Sequence, residues 1–183
     1  TLPAAVAAEL QRLEPERVVI VGGPTVVGEA VEQQVQAMPL LTERVFGADR
    51  YATSRALIER FAPPSSTVWV ATGRNYPDAL AAAAAAGASD SPVLLVNGRT
   101  TALDDATRAL LDARAVTTAI IAGGTGAVST GLQLDLEQRG LTVTRLAGVD
   151  RYATAVAIAA QLPDDAERAF VATGAGYADA LSG

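Results

Sequence analysis

The sequence predicts an α/β fold: parallel sheets with helices on both faces, built from tandem βα repeats of 101 residues. Three observations carry this. Short β-branched runs alternate strictly with segments of helical spacing, the order of a parallel sheet covered on both sides. Glycines and polar residues gather where a strand gives way to the next helix. Finally, GADRYAT at residues 47–53 returns as GVDRYAT at 148–154, and the same offset of 101 positions relates VATG at 70–73 to 171–174, Tyr76 to Tyr177 and Gly22-Gly23 to Gly123-Gly124.

The elements follow in order. Leu2, Val6, Leu10 and Leu13 have helical spacing, so a helix is expected over Leu2–Leu13. Arg17 to Val21 is a β-branched run ended by Gly22-Gly23, which reads as a buried strand. Val26 to Met38 is helical again and Leu40 to Phe46 a weaker strand. Asp49 opens a helix that runs to about Phe61 and stops before Pro63-Pro64. Then come a strand over Thr67–Thr72, a helix over Pro77–Ala86, a strand over Pro92–Val96, a helix over Ala102–Ala113 and a strand over Thr118–Ala122, after which the pattern repeats. In the frame of the repeat, residues 44–144 make one complete unit, 1–43 the C-terminal part of another and 145–183 the N-terminal part of the next, with an alternative structural split near 98–101. Two full units would need more than 183 residues, so the chain is expected to be a piece of a longer repetitive protein.

Composition narrows the chemistry. Half of the residues are apolar, but the longest apolar run, Ala79 to Ala86, is too short to span a bilayer. There is no cysteine, hence no disulfide, thiolate nucleophile or thiolate metal site. There is no histidine, which removes the usual general base and the commonest transition-metal ligand. All basic residues are arginine, so Schiff-base lysines and Walker-type phosphate lysines are excluded. The net charge of −6 argues against nucleic acid as a partner. Neither a cofactor nor a resident metal is expected.

The repeated polar residues all fall at strand-to-helix junctions, which share the carboxyl edge of a parallel sheet, where doubly wound folds bind ligands. Asp49 and Asp150 precede apolar-periodic helices and read as N-caps. Arg50 and Arg151 are less expected, because a cation in the first turn opposes the helix dipole. Each calls for a fixed partner, either a group of the protein such as Asp78 or an anionic ligand. In Thr72-Gly73-Arg74-Asn75-Tyr76-Pro77-Asp78, Pro77 and Asp78 suit the start of a helix. Tyr76 and its repeat Tyr177 are either lids on the core or stacking surfaces. Gly22-Gly23-Pro24 and Gly123-Gly124-Thr125-Gly126 allow a phosphate cradle but fit tight turns better, since neither matches a nucleotide-binding signature. Asp49 and Asp78 could form an acid–base pair, but both are accounted for by helix amino termini, where a lowered pKa is wrong for a general acid.

The phrases at Arg44–Thr53, Val68–Leu80, Pro92–Val96 and Ile120–Ser129, with Arg145–Ala160 and Ala169–Leu181 in the second copy, resemble the cell wall binding repeat type 2 family over essentially the whole chain. The resemblance implies a non-catalytic module of exported bacterial surface proteins, in tandem copies around a pseudo-threefold axis, holding its parent on the wall in the manner of S-layer anchoring. The ligand it implies is an anionic wall polymer or other wall glycan, and further partners are neighbouring repeats or a homo-oligomer. The residues placed on the binding edge are Arg50, Tyr51, Thr72, Gly73, Asn75, Tyr76 and Asp78, with Arg151, Tyr152, Tyr177 and Asp179 in the second copy. Because the chain is acidic, attraction of a polyanion would fall to local arginines, namely Arg44, Arg50, Arg74, Arg145 and Arg151. The alternative class is an α/β nucleotide- or phosphate-binding enzyme using the Gly-Gly turns.

Overall fold

The computed structural model describes residues 1–162 and 169–182. Two compact units divide the chain, Thr1–Leu57 and Ile58–Gly183, and both are α/β with parallel strands.

In the first unit, α1 (Ala4–Leu13) leads to β1 (Arg17–Val21), then α2 (Glu29–Gln36), β2 (Leu41–Val45) and the start of α3 (Arg50–Phe61). β1 and β2 form a two-stranded parallel sheet, Arg17 opposite Leu41 through Val21 opposite Val45. The chain leaves β1 through Gly22, whose N–H donates to the Val45 carbonyl at 2.9 Å and adds one more rung to the ladder. It then turns at φ +113°, a left-handed value that glycine adopts without strain.

The second unit continues with β3 (Thr67–Thr72), α4 (Pro77–Ala88), β4 (Val93–Val96), α5 (Asp105–Ala113), β5 (Thr118–Ala122), α6 (Thr130–Gln138), β6 (Thr142–Leu146) and α7 (Arg151–Ala159), with a short 3-10 turn at Ala180–Ser182. Its four strands are all parallel in the order β4-β3-β5-β6. Alternation along β3 builds two cores, because successive side chains point to opposite faces. Val68 and Val70 face a cluster with Leu94, Leu110, Ile121, Leu132 and Leu136. Trp69 and Ala71 face a second one with Ala82, Ala85 and Ala86 of α4 and Ile158 of α7. The alanine face of α4 combines high helix propensity with a thin profile that lets the helix lie close to the sheet. α3 ends where the Arg114 guanidinium donates to the carbonyl of Ala62 at 2.9 Å and to that of Ile58 at 3.2 Å, which also accepts from the Ala62 N–H, so the side chain ties down the last turn.

The repeat is visible in the elements. β5, α6 and β6 are β1, α2 and β2 displaced by 101 positions, and the ladder Thr118 opposite Thr142 through Ala122 opposite Leu146 repeats that of the first unit rung for rung. Two expectations need correction. The helix expected from Val26 starts at Glu29, because Val26 and Val27 donate to the Gly23 carbonyl in a tight turn; the second copy does the same through Ala127, Val128 and Gly124. The pattern also fails to repeat in full: Ala169–Thr173, the copy of β3 short of Arg168 outside the described residues, is not a strand. β3 is held as a strand by β4 and β5, which pair with it on both sides.

Trp69 is buried, and its indole N–H has no hydrogen-bond partner among the described residues. Trp69→Phe should therefore keep most of the stability, losing volume but no bond, whereas Trp69→Ala should cost about 3 to 5 kcal/mol. Thermal or urea unfolding of the two variants checks this; a Phe variant as damaged as the Ala variant would refute the packing account.

Candidate functional site

The repeated phrase Gly-x-Asp-Arg-Tyr-x-Thr separates into parts. In the second copy, the Asp150 carboxylate accepts from the Ala153 N–H at 2.8 Å and caps α7, while Thr154 Oγ1 accepts from the Gly148 N–H at 3.0 Å. The first copy repeats both bonds at 2.8 and 2.9 Å, Asp49 with the Ala52 N–H and Thr53 with the Gly47 N–H. At Gly47 and Gly148 a side chain would run into Ala52 and Ala153. Glycine, aspartate and threonine thus close the turn and start the helix. The arginine and tyrosine between them project from it: Arg50, Arg151 and Tyr152 are exposed and Tyr51 is half-buried.

Arg44 and Arg145 have a different task from the one the sequence suggested. Arg145 donates from Nη1 to the Gly123 carbonyl at 2.8 Å and from Nε to Gln133 at 2.9 Å. Arg44 does the same with the Gly22 carbonyl at 2.7 Å and with Glu32 at 2.9 Å, an ion pair in that copy. These two guanidiniums pin the Gly-Gly turns and leave the attraction of anions to others. Burial pulls the Arg145 pKa below the usual arginine value, and Glu137 partly restores it. The turns are also unsuited as phosphate cradles at their first glycine, since the Gly123 N–H is spent on the Leu146 carbonyl at 2.8 Å and that of Gly22 on Val45.

Within the second unit, the carboxyl edge holds an open cleft of about 230 Å3 lined by Asn75, Pro77 and Asp78 from one copy of the repeat and Gly148, Asp150, Arg151 and Thr154 from the other, with Gly124 between. Asp78 stands over Gly123, where an added Cβ would meet its carboxylate. Its pKa is raised, because burial outweighs the opposing pull of Arg151. A sequence reading from the helix terminus alone had the opposite sign. Arg151 also donates from Nη1 to the Gly174 carbonyl, and the Tyr152 ring packs against Gly174. Tyr76 and Tyr177 meet edge to face with ring centroids 5.5 Å apart, so the two copies of the aromatic loop touch through their equivalent residues.

The remaining predicted residues divide. Thr72 is 4% exposed, and its hydroxyl accepts from the Arg74 N–H at 3.3 Å. Gly73 is buried, donating to the Val96 carbonyl at 2.9 Å. Both shape the turn from within. Asn75 Oδ1 accepts from the Tyr76 N–H at 3.0 Å, and Arg74 and Asp179 are exposed. Gly148, Asp150 and Thr154 were not placed in a site by their sequence, although the phrase they share with Arg151 was the signal that could have done so.

Comparison with known proteins adds a family. The profile of Cell wall binding domain 2 (CWB2) matches residues 44–133 and 145–183. The chain is 32% identical over 138 residues to the N-acetylmuramoyl-L-alanine amidase LytC of Bacillus subtilis, covering 75% of this chain and 27% of that protein. It is 28% identical over 183 residues to the amidase enhancer of the same organism, covering all of this chain and 24% of that one. The chain thus spans about a quarter of these curated relatives. Among solved structures it resembles Cwp6 from Clostridium difficile (TM-score 0.77, 24% identity, 87% of this chain and 26% of that one) and Cwp8 from the same organism (TM-score 0.75, 27% identity, 86% and 27%).

The raised pKa of Asp78 has a signed consequence. The folded protein holds this proton more tightly than the unfolded chain, so the contribution of the group to stability is full below the unfolded pKa and is lost as pH rises through the folded one. Asp78→Asn should melt higher than the parent at pH ~7, with the gap closing as pH falls through the aspartate range near about 4. Melting curves across that window check it, and an Asn variant less stable at pH ~7 would show that the Arg151 attraction dominates.

Proposed function

Since the chain belongs to the cell wall binding domain 2 family, we propose that it is a non-catalytic module that holds an exported protein on the bacterial wall by binding an anionic wall polymer at the carboxyl edge of its sheet. The observation that carries this reading is the cleft in the second unit, where two copies of the repeat contribute the Arg151 guanidinium, the amide of Asn75 and the half-buried Asp78. An extended glycan fits an open cleft better than an enclosed pocket, and Tyr76, between the cleft residues Asn75 and Pro77, meets Tyr177 edge to face and offers sugars an aromatic surface. Two carboxylates, Asp78 and Asp150, line the same cleft, so an anionic group would have to be held there by the Arg151 guanidinium against their repulsion.

The reading also accounts for the duplication of Arg50-Tyr51 as Arg151-Tyr152. Two weak sites on one molecule gain through avidity on a polymer that presents the same group many times. No described helix is long and apolar enough to cross a membrane. The location that follows from the reading is the cell wall of an exporting bacterium, with any amidase or other activity carried by other parts of the polypeptide.

Purified walls, with and without removal of their secondary polymers, provide the test. The chain should be retained only when the polymer is present, and retention should weaken as ionic strength rises, because exposed charges are screened beyond about 8 Å at physiological salt. Arg151→Gln should leave the melting temperature nearly unchanged and lower wall affinity about tenfold, the scale of one charge-assisted hydrogen bond. Arg50→Gln should act similarly, and the double variant should lose more than either. Retention indifferent to salt and to both arginines would overturn the anionic-ligand reading.

A further inference from the structure

The residues lining the cleft of the second unit set two carboxylates, Asp78 and Asp150, against the one guanidinium of Arg151. We propose that an anionic group of the wall polymer binds there together with a proton from solvent, which Asp78 takes up and shares with it in a hydrogen bond, so that the module holds the polymer more tightly as its surroundings become acidic. This rests on the anionic-polymer reading above and adds to it a donor and a direction with pH.

Charge comes first. An anion entering beside Arg151 makes three negative groups on one positive one, and partly buried charges are screened by salt far less than exposed ones. One proton removes the excess. Of the two carboxylates, Asp150 is committed to its charged form, accepting from the Ala153 N–H at 2.8 Å as the cap of α7. Asp78 has no such anchor. It is half-buried in the first turn of α4 against Gly123, and no described residue donates a hydrogen bond to it. Burial already holds its carboxyl above the ordinary aspartate value, with Arg151 pulling the other way.

The surroundings leave the proton to this residue. Asp78 is the one charged residue of α4, and β3, β4 and β5, which pack against that helix, have none. α7 brings Arg151 and Tyr152, with Asp150 just ahead of them, and Arg145 of β6 donates to the Gly123 carbonyl. On the aromatic loops, Arg74 and Asp179 are exposed, and Tyr76 meets Tyr177. The donors of the cleft complete the picture. Asn75 spends its Oδ1 on the Tyr76 N–H at 3.0 Å and keeps its NH2, while Arg151 gives Nη1 to the Gly174 carbonyl and keeps its other N–H groups. A neutral Asp78 adds an O–H to this set. An oxyacid group that only accepts, a phosphodiester or a carboxylate, can then take bonds from all three, whereas an ionised Asp78 offers it nothing. Because the bound anion strengthens the hold of Asp78 on its proton, the proton strengthens the hold on the anion. Affinity therefore grows as pH falls, by at most about tenfold per pH unit for one proton.

The test compares the parent with Asp78→Asn on one preparation of polymer-bearing walls, at constant ionic strength, from pH ~7 to pH ~4. The chain has 20 acidic residues that titrate in the same range, so the readout is the ratio of the two affinities, with melting curves at each pH to show that both are folded. Asn donates at every pH and carries no charge. The variant should bind about tenfold more tightly than the parent at pH ~7, and the ratio should close towards pH ~4 as the parent takes up its proton. Asp150→Asn keeps a cap and should keep the pH dependence of the parent. The profile of Asp78→Asn by itself separates the two ligand chemistries: flat for a phosphodiester, which stays charged throughout, and falling at the acid end for a carboxylate. Retention that still depends on Arg151 but shows a constant ratio, a weaker Asp78→Asn at pH ~7, or a pH dependence lost with Asp150 instead would overturn the proposal and leave wall binding standing. Failure of both chains to bind polymer-bearing walls at any pH would overturn the underlying reading and the proposal together.

Discussion

One hydrogen bond ends the strands of this protein and sets the level at which everything else begins. After β1, β3 and β5 the next residue is a glycine whose N–H reaches the last carbonyl of the neighbouring strand: Gly22 to Val45, Gly73 to Val96 and Gly123 to Leu146. The ladder gains a final rung, and the chain then turns away where no Cβ obstructs it, at φ +113° and +110° for Gly22 and Gly123. Because parallel strands all finish on one side, the same bond used three times gathers the turns on the carboxyl edge of each sheet. Arg44 and Arg145 fasten those turns from the second strand of each pair, so the sheet and its edge are tied by both backbone and side chain.

This economy explains why so much of the repeated phrase is architecture. Of the seven positions in Gly-x-Asp-Arg-Tyr-x-Thr, glycine, aspartate and threonine are consumed in making a turn and capping a helix, with the same bonds in both copies. A helix that starts so firmly holds its first-turn side chains in a fixed direction. Arginine and tyrosine are therefore displayed at the edge from a rigid base, the condition under which a recognition group loses little entropy on binding.

The order of strands and helices was legible in the sequence because apolar periodicity and punctuating glycines are local signals, and the repeat doubled them. What stayed hidden were facts of partnership. Nothing in the run of residues around Arg145 says that its guanidinium meets a carbonyl at Gly123, so five arginines looked equivalent as anion binders although Arg44 and Arg145 are held inside. The sign of the Asp78 shift depends on burial beneath a turn from another part of the chain, whereas the helix terminus visible in sequence argues the other way. Ala169–Thr173 looked like a strand because its twin is one, but β3 owes its conformation to β4 and β5 as much as to its own residues. Thr72 and Gly73 were drawn to the binding edge by position along the strand, and the turn folds them inward.

The alanines of α4 bear on how such a module can drift. Ala82, Ala85 and Ala86 form a layer one carbon deep between the helix and the Trp69 face of the sheet. Any larger residue there would lift the helix, and the amino end of that helix carries Pro77 and Asp78 into the cleft. The loop tips at Arg74 and Asn75 are exposed, and substitution there disturbs no packed layer. Sequence change therefore has an open route through the tips, whereas the helix face behind them is confined to the smallest side chains, and the loops can drift without the scaffold having to follow.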